Sequence, residues 1–122
     1  MLFRSVAFGL RDSLELLREL GVSPEAGRAS GGGARSLLWL EIVATALGLP
    51  LELTAVEEGS AYGAALLAGV ASGTYASAEE AVSACVRVRE TVEPNPSWAA
   101  EYEEGYARFR SLYPALRRVE AG

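Results

Sequence analysis

Residues 30–36 read Ser30-Gly31-Gly32-Gly33-Ala34-Arg35-Ser36. Residues 28–30 before this run, extended from Ala26, form a short strand candidate, and after it Ser36 can N-cap a helix running to Leu47 with Gly48 as its stop. Leu49-Pro50-Leu51-Glu52-Leu53-Thr54 then reads as a second strand, with Pro50 confined to its first residues. The unit is strand, glycine turn, helix, strand. A helical crossover of this kind joins parallel strands right-handedly, so the expected fold class is α/β.

Before the glycines, residues 1–20 read as one helix stopped at Gly21. Phe3, Val6, Leu10, Leu14 and Leu17 form its apolar stripe, and Arg4, Arg11, Glu15, Arg18 and Glu19 its polar side. It starts at Met1 with no cap, as expected of a boundary inside a larger fold. Beyond the second strand, Glu57-Glu58-Gly59 is a loop and Ser60 caps a helix of small residues, 61–68, stopped by Gly73. Ser77-Ala78-Glu79-Glu80 is a capping box that opens a short helix to Val86. Residues 86–92 alternate like an edge strand. Asn95-Pro96 supplies an N-cap and a first-turn proline for a last helix that ends at Tyr113, before Pro114. The expected architecture is a short, mostly parallel sheet with about five helices. Such a sheet leaves open edges and is an incomplete domain.

Composition excludes several chemistries. The 122 residues contain no His, Lys or Gln, one Asp (Asp12), one Asn (Asn95) and one Cys (Cys85). Without His there is no imidazole base or ligand; without Lys there is no Schiff base and no Walker-type phosphate loop. One Cys makes no internal disulfide and no thiolate zinc site. A net charge of −5 and no dense Arg cluster argue against nucleic acid. No apolar run approaches the ~18 residues of a membrane span, and no secretory leader is visible, so the expected compartment is the cytoplasm.

Two readings of the glycine run stand side by side: a tight strand-to-helix turn, or a cradle where backbone approaches a phosphate in front of a helix N-terminus. The dinucleotide fingerprint is nearly met from Gly31 to Ala34, with Glu57 or Glu58 as its ribose acid, but Ser36 stands at its last glycine. With parallel strands, the Glu57-Glu58-Gly59 loop and the glycine turn emerge at one sheet edge. The two carboxylates either line that cleft or favour the following helix N-terminus. The 61–68 helix is expected to pack in the core, with Gly63 giving close approach. Asp12 reads as a solvated helix charge, Cys85 as a packed thiol, and Trp39 and Trp98 as packing residues, Trp39 also able to wall a pocket. Tyr102, Tyr106, Phe109 and Tyr113 form an aromatic stripe that docks the last helix.

Four stretches carry a family resemblance. They are Val6-Ala7-Phe8-Gly9-Leu10-Arg11-Asp12, the 30–36 run, Glu58-Gly59-Ser60-Ala61-Tyr62-Gly63-Ala64-Ala65-Leu66-Leu67-Ala68, and Glu90-Thr91-Val92-Glu93-Pro94. Together they resemble the C-terminal region of FGGY-type carbohydrate kinases, most of all the xylulokinases, over residues 2–116. The resemblance implies part of a ribonuclease-H-like, actin-like ATPase domain and phosphoryl transfer from MgATP to a ketopentose, D-xylulose. It implies that residues 1–122 are the C-terminal nucleotide-binding portion, with Gly31, Gly32, Gly33, Ala34 and Ser36 near ATP or ADP and helix 61–68 behind them. Leu37 replaces the family's usual proline, and Leu40 stands where relatives often carry a polar residue. No residue matches the catalytic Asp, which the resemblance places upstream with the sugar-binding residues and the Mg2+ site. The chain alone is therefore expected to be inactive and to pair as a homodimer through exposed apolar surface. Two alternatives remain: a stand-alone, non-catalytic binding or interaction module, and a small dinucleotide-binding βαβ domain.

Overall fold

The computed structural model describes residues 2–56 and 59–120. In chain order the elements are α1 (Leu2–Glu19), β1 (Gly27–Ala29), α2 (Leu37–Leu47), β2 (Leu51–Thr54), α3 (Gly59–Ala71), α4 (Ala78–Cys85), β3 (Val88–Val92) and α5 (Ala99–Glu120). The sheet runs β1-β2-β3. β1 and β2 are parallel, with Gly27 beside Leu51 and Ala29 beside Leu53. β3 returns antiparallel to β2, and its register slips at Leu53/Thr54.

The crossover forms where the sequence marks it. Ser36 is extended and its hydroxyl accepts from the Trp39 N–H, while Gly48 closes α2 with φ +65°. Leu40, Val43, Ala44 and Ala46 of α2 meet Leu51 and Leu53 of β2, Ala7 and Phe8 of α1, and Tyr102 of α5 in one buried cluster. Gly105 lets α5 come close: a Cβ there would stand 3.0 Å from Phe8 Cζ. Thr45 and Asn95 tie the β3–α5 connection to α2. The Asn95 N–H donates to Thr45 Oγ1 at 2.9 Å, and Asn95 Nδ2 donates to Glu41 Oε1 at 2.7 Å.

Several elements depart from expectation. Of the α1 stripe only Leu14 is buried; Phe3, Val6, Leu10 and Leu17 are exposed, and the helix instead turns Ala7 and Phe8 inward. α1 packs chiefly against α2, and α5 meets its polar side. Arg11 makes a bidentate pair with Glu103 at 2.7 and 2.9 Å, and Asp12 accepts from the Tyr106 hydroxyl at 2.7 Å. Asp12 is thus a clasp, not a solvated charge. Arg4 and Arg11 lie over the rings of Tyr102 and Tyr106 at 5.1 and 4.2 Å from the centroids.

α5 runs on through Pro114. A proline there forfeits one backbone bond and crowds the carbonyl four residues before it, and Tyr113 at the end of the aromatic stripe is itself 68% exposed. Asn95 caps the turn before α5 rather than α5 itself, accepting from the Ser97 N–H at 2.9 Å, and Trp98 lies in that turn. α3 begins at Gly59, so Ser60 stands inside its first turn. No residue of α3 is buried, and a Cβ on Gly63 would meet nothing within 4 Å. Among the described residues α3 packs chiefly on α4 and stays outside the core. Ser77 caps α4 through the Glu80 N–H, while the Glu80 carboxylate reaches the Ala76 N–H at 2.6 Å, one residue before the usual capping-box target. β3 forms, but four of its five residues are exposed, so its alternation does not report a buried face.

Candidate functional site

The glycine run folds as a single 3-10 turn over Gly32–Arg35 between the C-terminal end of β1 and the cap of α2. Gly31 carries the bend at φ +83° and ψ −173°, a region that side chains with a Cβ avoid. Gly33 is held from behind: a Cβ there would stand 3.2 Å from Trp39 Nε1. Trp39 is therefore the wall under the turn. At Gly31 and Gly32 a Cβ would meet nothing within 4 Å. Backbone faces open space at these two positions.

β1 and β2 are parallel, so their C-terminal ends open together. Ser30, Gly31, Ala34 and Arg35 line a small cleft with Thr54 of β2 and Arg89 of β3. Gly59 approaches the same edge, where its Cβ would be 3.7 Å from Ser30 Cβ. Glu57 and Glu58, expected in this loop, lie outside the described residues. On the α3 and α4 side of Ser30 a larger cleft of about 390 Å³ opens, lined by Thr54, Gly59, Tyr62, Leu66, Cys85 and Arg87 among others. Its wall is pinned by hydrogen bonds. The Tyr62 hydroxyl donates to the Cys85 carbonyl at 2.9 Å, and the Tyr75 hydroxyl lies 3.1 Å from Cys85 Sγ. That contact with Cys85 pushes the Tyr75 phenol above its ordinary value.

Gly31, Gly32, Gly33, Ala34 and Ser36 thus fall within one turn, with Ser36 occupied as a cap. Reading the sequence did not single out Arg89, Thr54 or Arg87, and it named Tyr62 only as part of the helix set behind the turn. Arg89 reaches the cleft only because β3 pairs antiparallel with β2, and a register with a slip has no local signature. No group of three or more acidic or Cys side chains among the described residues is arranged to hold a metal ion. No helix among them is long and apolar enough to cross a membrane.

Residues 2–72 match the family model described as the C-terminal domain of the FGGY family of carbohydrate kinases. The chain belongs to that family. Xylulose kinase of Staphylococcus epidermidis is 30% identical over 116 residues, which cover 95% of this chain and 23% of that protein. L-xylulose/3-keto-L-gulonate kinase of Escherichia coli K12 is 32% identical over 120 residues, 98% of this chain and 24% of that protein. The solved xylulose kinase of Rhodospirillum rubrum superposes with a TM-score of 0.80 at 36% identity over 97% of this chain and 24% of its own. The FGGY chain described here therefore spans about a quarter of the length of these relatives. Its α/β fold is that of these kinases, a part of the actin-like ATPase architecture.

Proposed function

We propose that these 122 residues are the C-terminal nucleotide-binding portion of an ATP-dependent sugar kinase of the cytoplasm, acting on a ketopentose, D-xylulose in the first instance. The observation that carries this reading is the edge where two parallel strands end together: Gly31 and Gly32 present bare backbone to open space, and Gly59 closes in beside Ser30. The residues fit a nucleoside triphosphate. Phosphate oxygens approach the Gly31 and Gly32 backbone without meeting a Cβ, in front of the α2 N-terminus and beside the guanidinium groups of Arg35 and Arg89. The neighbouring cleft of about 390 Å³ has the volume of a small-ligand pocket and takes the nucleoside against Tyr62 and α3. When bound, MgATP supplies the phosphoryl group. This chain binds, orients and shields it, and the base, the metal ligands and the sugar site belong to the rest of the kinase. The names of the relatives, xylulose and L-xylulose/3-keto-L-gulonate kinase, support a ketose substrate.

The test is a titration of ATP and ADP followed by calorimetry and by intrinsic tryptophan fluorescence, with Gly32→Leu beside the wild type. A Cβ at this position meets nothing within 4 Å, so the side chain is expected to fill the space proposed for the phosphates, and thermal unfolding of the variant beside the wild type checks that the fold is kept. A rise in Kd of at least about ten-fold is expected, equivalent to about 1.4 kcal/mol. Equal affinity in both proteins, or no nucleotide binding at all, overturns the reading. The wild-type chain is expected to phosphorylate neither xylulose nor ribulose with MgATP, because phosphoryl transfer needs metal, base and donor clamps together.

A further inference from the structure

α1 and α5 meet where the Phe8 ring packs against Tyr102, Tyr106 and Phe109. Beside that crossing they leave an open groove of about 350 Å³, which shares no residue with the clefts at the glycine turn. Phe8, Gly105, Phe109 and Leu112 make its apolar part, and the ion pairs Arg4–Glu101 and Arg108–Glu104 border it. α5 continues past the groove. Gly105, Phe109, Leu112 and Leu116 fall at i, i+4, i+7 and i+11, one face of the helix. Leu112 and Leu116 on that face are 57% and 62% exposed. Charge is divided along the same helix. Glu101, Glu103 and Glu104 lie in its first two turns, and Arg108, Arg110, Arg117 and Arg118 follow with no acidic residue between 105 and 119.

We infer that this groove seats the last turns of α5 from a second copy of this chain, the two α5 helices lying antiparallel about a two-fold axis. In the register that sets Leu116 of each copy at Gly105 of the other, Phe109 meets Leu112 and Arg117 stands opposite Glu104. Gly105 brings no side chain of its own into the groove, so a leucine finds room there. Glu101 and Glu104 each hold their own Arg, yet their side chains remain 64% and 66% exposed, and a carboxylate accepts from more than one donor. Charge complementarity chooses the occupant. An antiparallel copy brings the basic end of each α5 onto the acidic end of the other, whereas a parallel copy sets like charge on like. A short apolar floor bordered by four charged side chains also has the anatomy of a contact between separately folded molecules, apolar at the centre and polar at the rim. The inference does not rest on nucleotide binding at the glycine turn.

The test is sedimentation of this chain over a concentration series. A dimer is expected, and Leu116→Glu is expected to raise its dissociation constant at least about ten-fold. Leu116 lies outside the buried cluster, and thermal unfolding checks that the variant keeps the fold. Leu67→Glu on the exposed α3 is expected to leave the dimer unchanged. Arg117→Glu and Glu104→Arg are each expected to weaken self-association. An equimolar mixture of the two is expected to form the mixed dimer in preference to either homodimer, because both contacts between the helices then join opposite charges. A chain that stays monomeric, a dimer indifferent to Leu116→Glu, a dimer lost with Leu67→Glu, or a mixture with no preference for the mixed species would each overturn the inference.

Discussion

α2 and α3 are both short, nearly uncharged helices that come after a strand. α2 buries Leu40, Val43, Ala44, Thr45 and Ala46, whereas α3 buries nothing. Apolar composition therefore does not decide which helix is core. α2 is covered by α1, α5 and β3 and shares the buried cluster with Leu51 and Leu53 of β2, but among the described residues α3 has mainly α4 beside it. A helix that is apolar on most faces is suited to burial on all of them, so α3 has the composition of an interior helix with only one side occupied here.

The largest expected effect breaks this contrast most directly. Leu40→Ala empties a site that is 2% exposed and should cost about 2–5 kcal/mol in chemical denaturation, whereas Leu67→Ala on α3, 63% exposed, should change stability by less than about 0.5 kcal/mol. Equal losses would mean that α3 is buried in solution by something other than this chain's own core. Next in size is Gly31→Ala at the turn leading into α2. Forcing a Cβ into φ +83° should cost about 1–3 kcal/mol. The same change at Gly63, in the open α3, should be neutral or slightly stabilising, since Ala gains up to ~1 kcal/mol of helix propensity over Gly. Thermal unfolding of the pair separates a glycine required by backbone geometry from one that is not.

The smallest effect concerns the seam between α1 and α5, which charge holds beside the apolar core. The hydrogen bond from Arg11, helped by its charge, keeps the Glu103 carboxyl below the usual carboxylate range against a smaller opposing effect of burial. A carboxyl depressed in the folded state stabilises at pH values above its unfolded value of about 4.3, and that contribution is lost as pH falls through the folded value. Glu103 is 65% exposed at its side chain, so screening limits the pair to less than about 1 kcal/mol. Glu103→Gln should therefore be slightly less stable than wild type at pH 7 and match it in acid. Urea midpoints across the carboxylate range, repeated in 1 M salt where the difference should shrink, check the sign.

The strand, glycine turn, helix and strand of residues 27–54 were legible because each boundary is local chemistry. Glycine supplies a left-handed bend, Ser36 supplies a cap oxygen, Gly48 ends the helix, and a crossover of that length makes the strands parallel. That Gly31, Gly32, Gly33, Ala34 and Ser36 share one turn was legible for the same reason, and the family resemblance was carried in part by this motif. Burial was not legible in the same way. Phe3, Val6, Leu10 and Leu17 make a stripe as regular as any core stripe, yet α1 turns Ala7 and Phe8 into the cluster formed by α2, β2 and Tyr102, while Glu103 and Tyr106 on α5 engage Arg11 and Asp12. Those partners are more than 90 residues apart in sequence. Arg89, Tyr62 and Cys85 likewise come to the clefts by pairing and packing that no neighbouring residue encodes. Local backbone and capping energies act within a few residues and leave their mark in the chain itself. The side a helix shows to the core, and the side chains that line a cleft, depend on which distant elements arrive beside it, and only the assembled fold decides that.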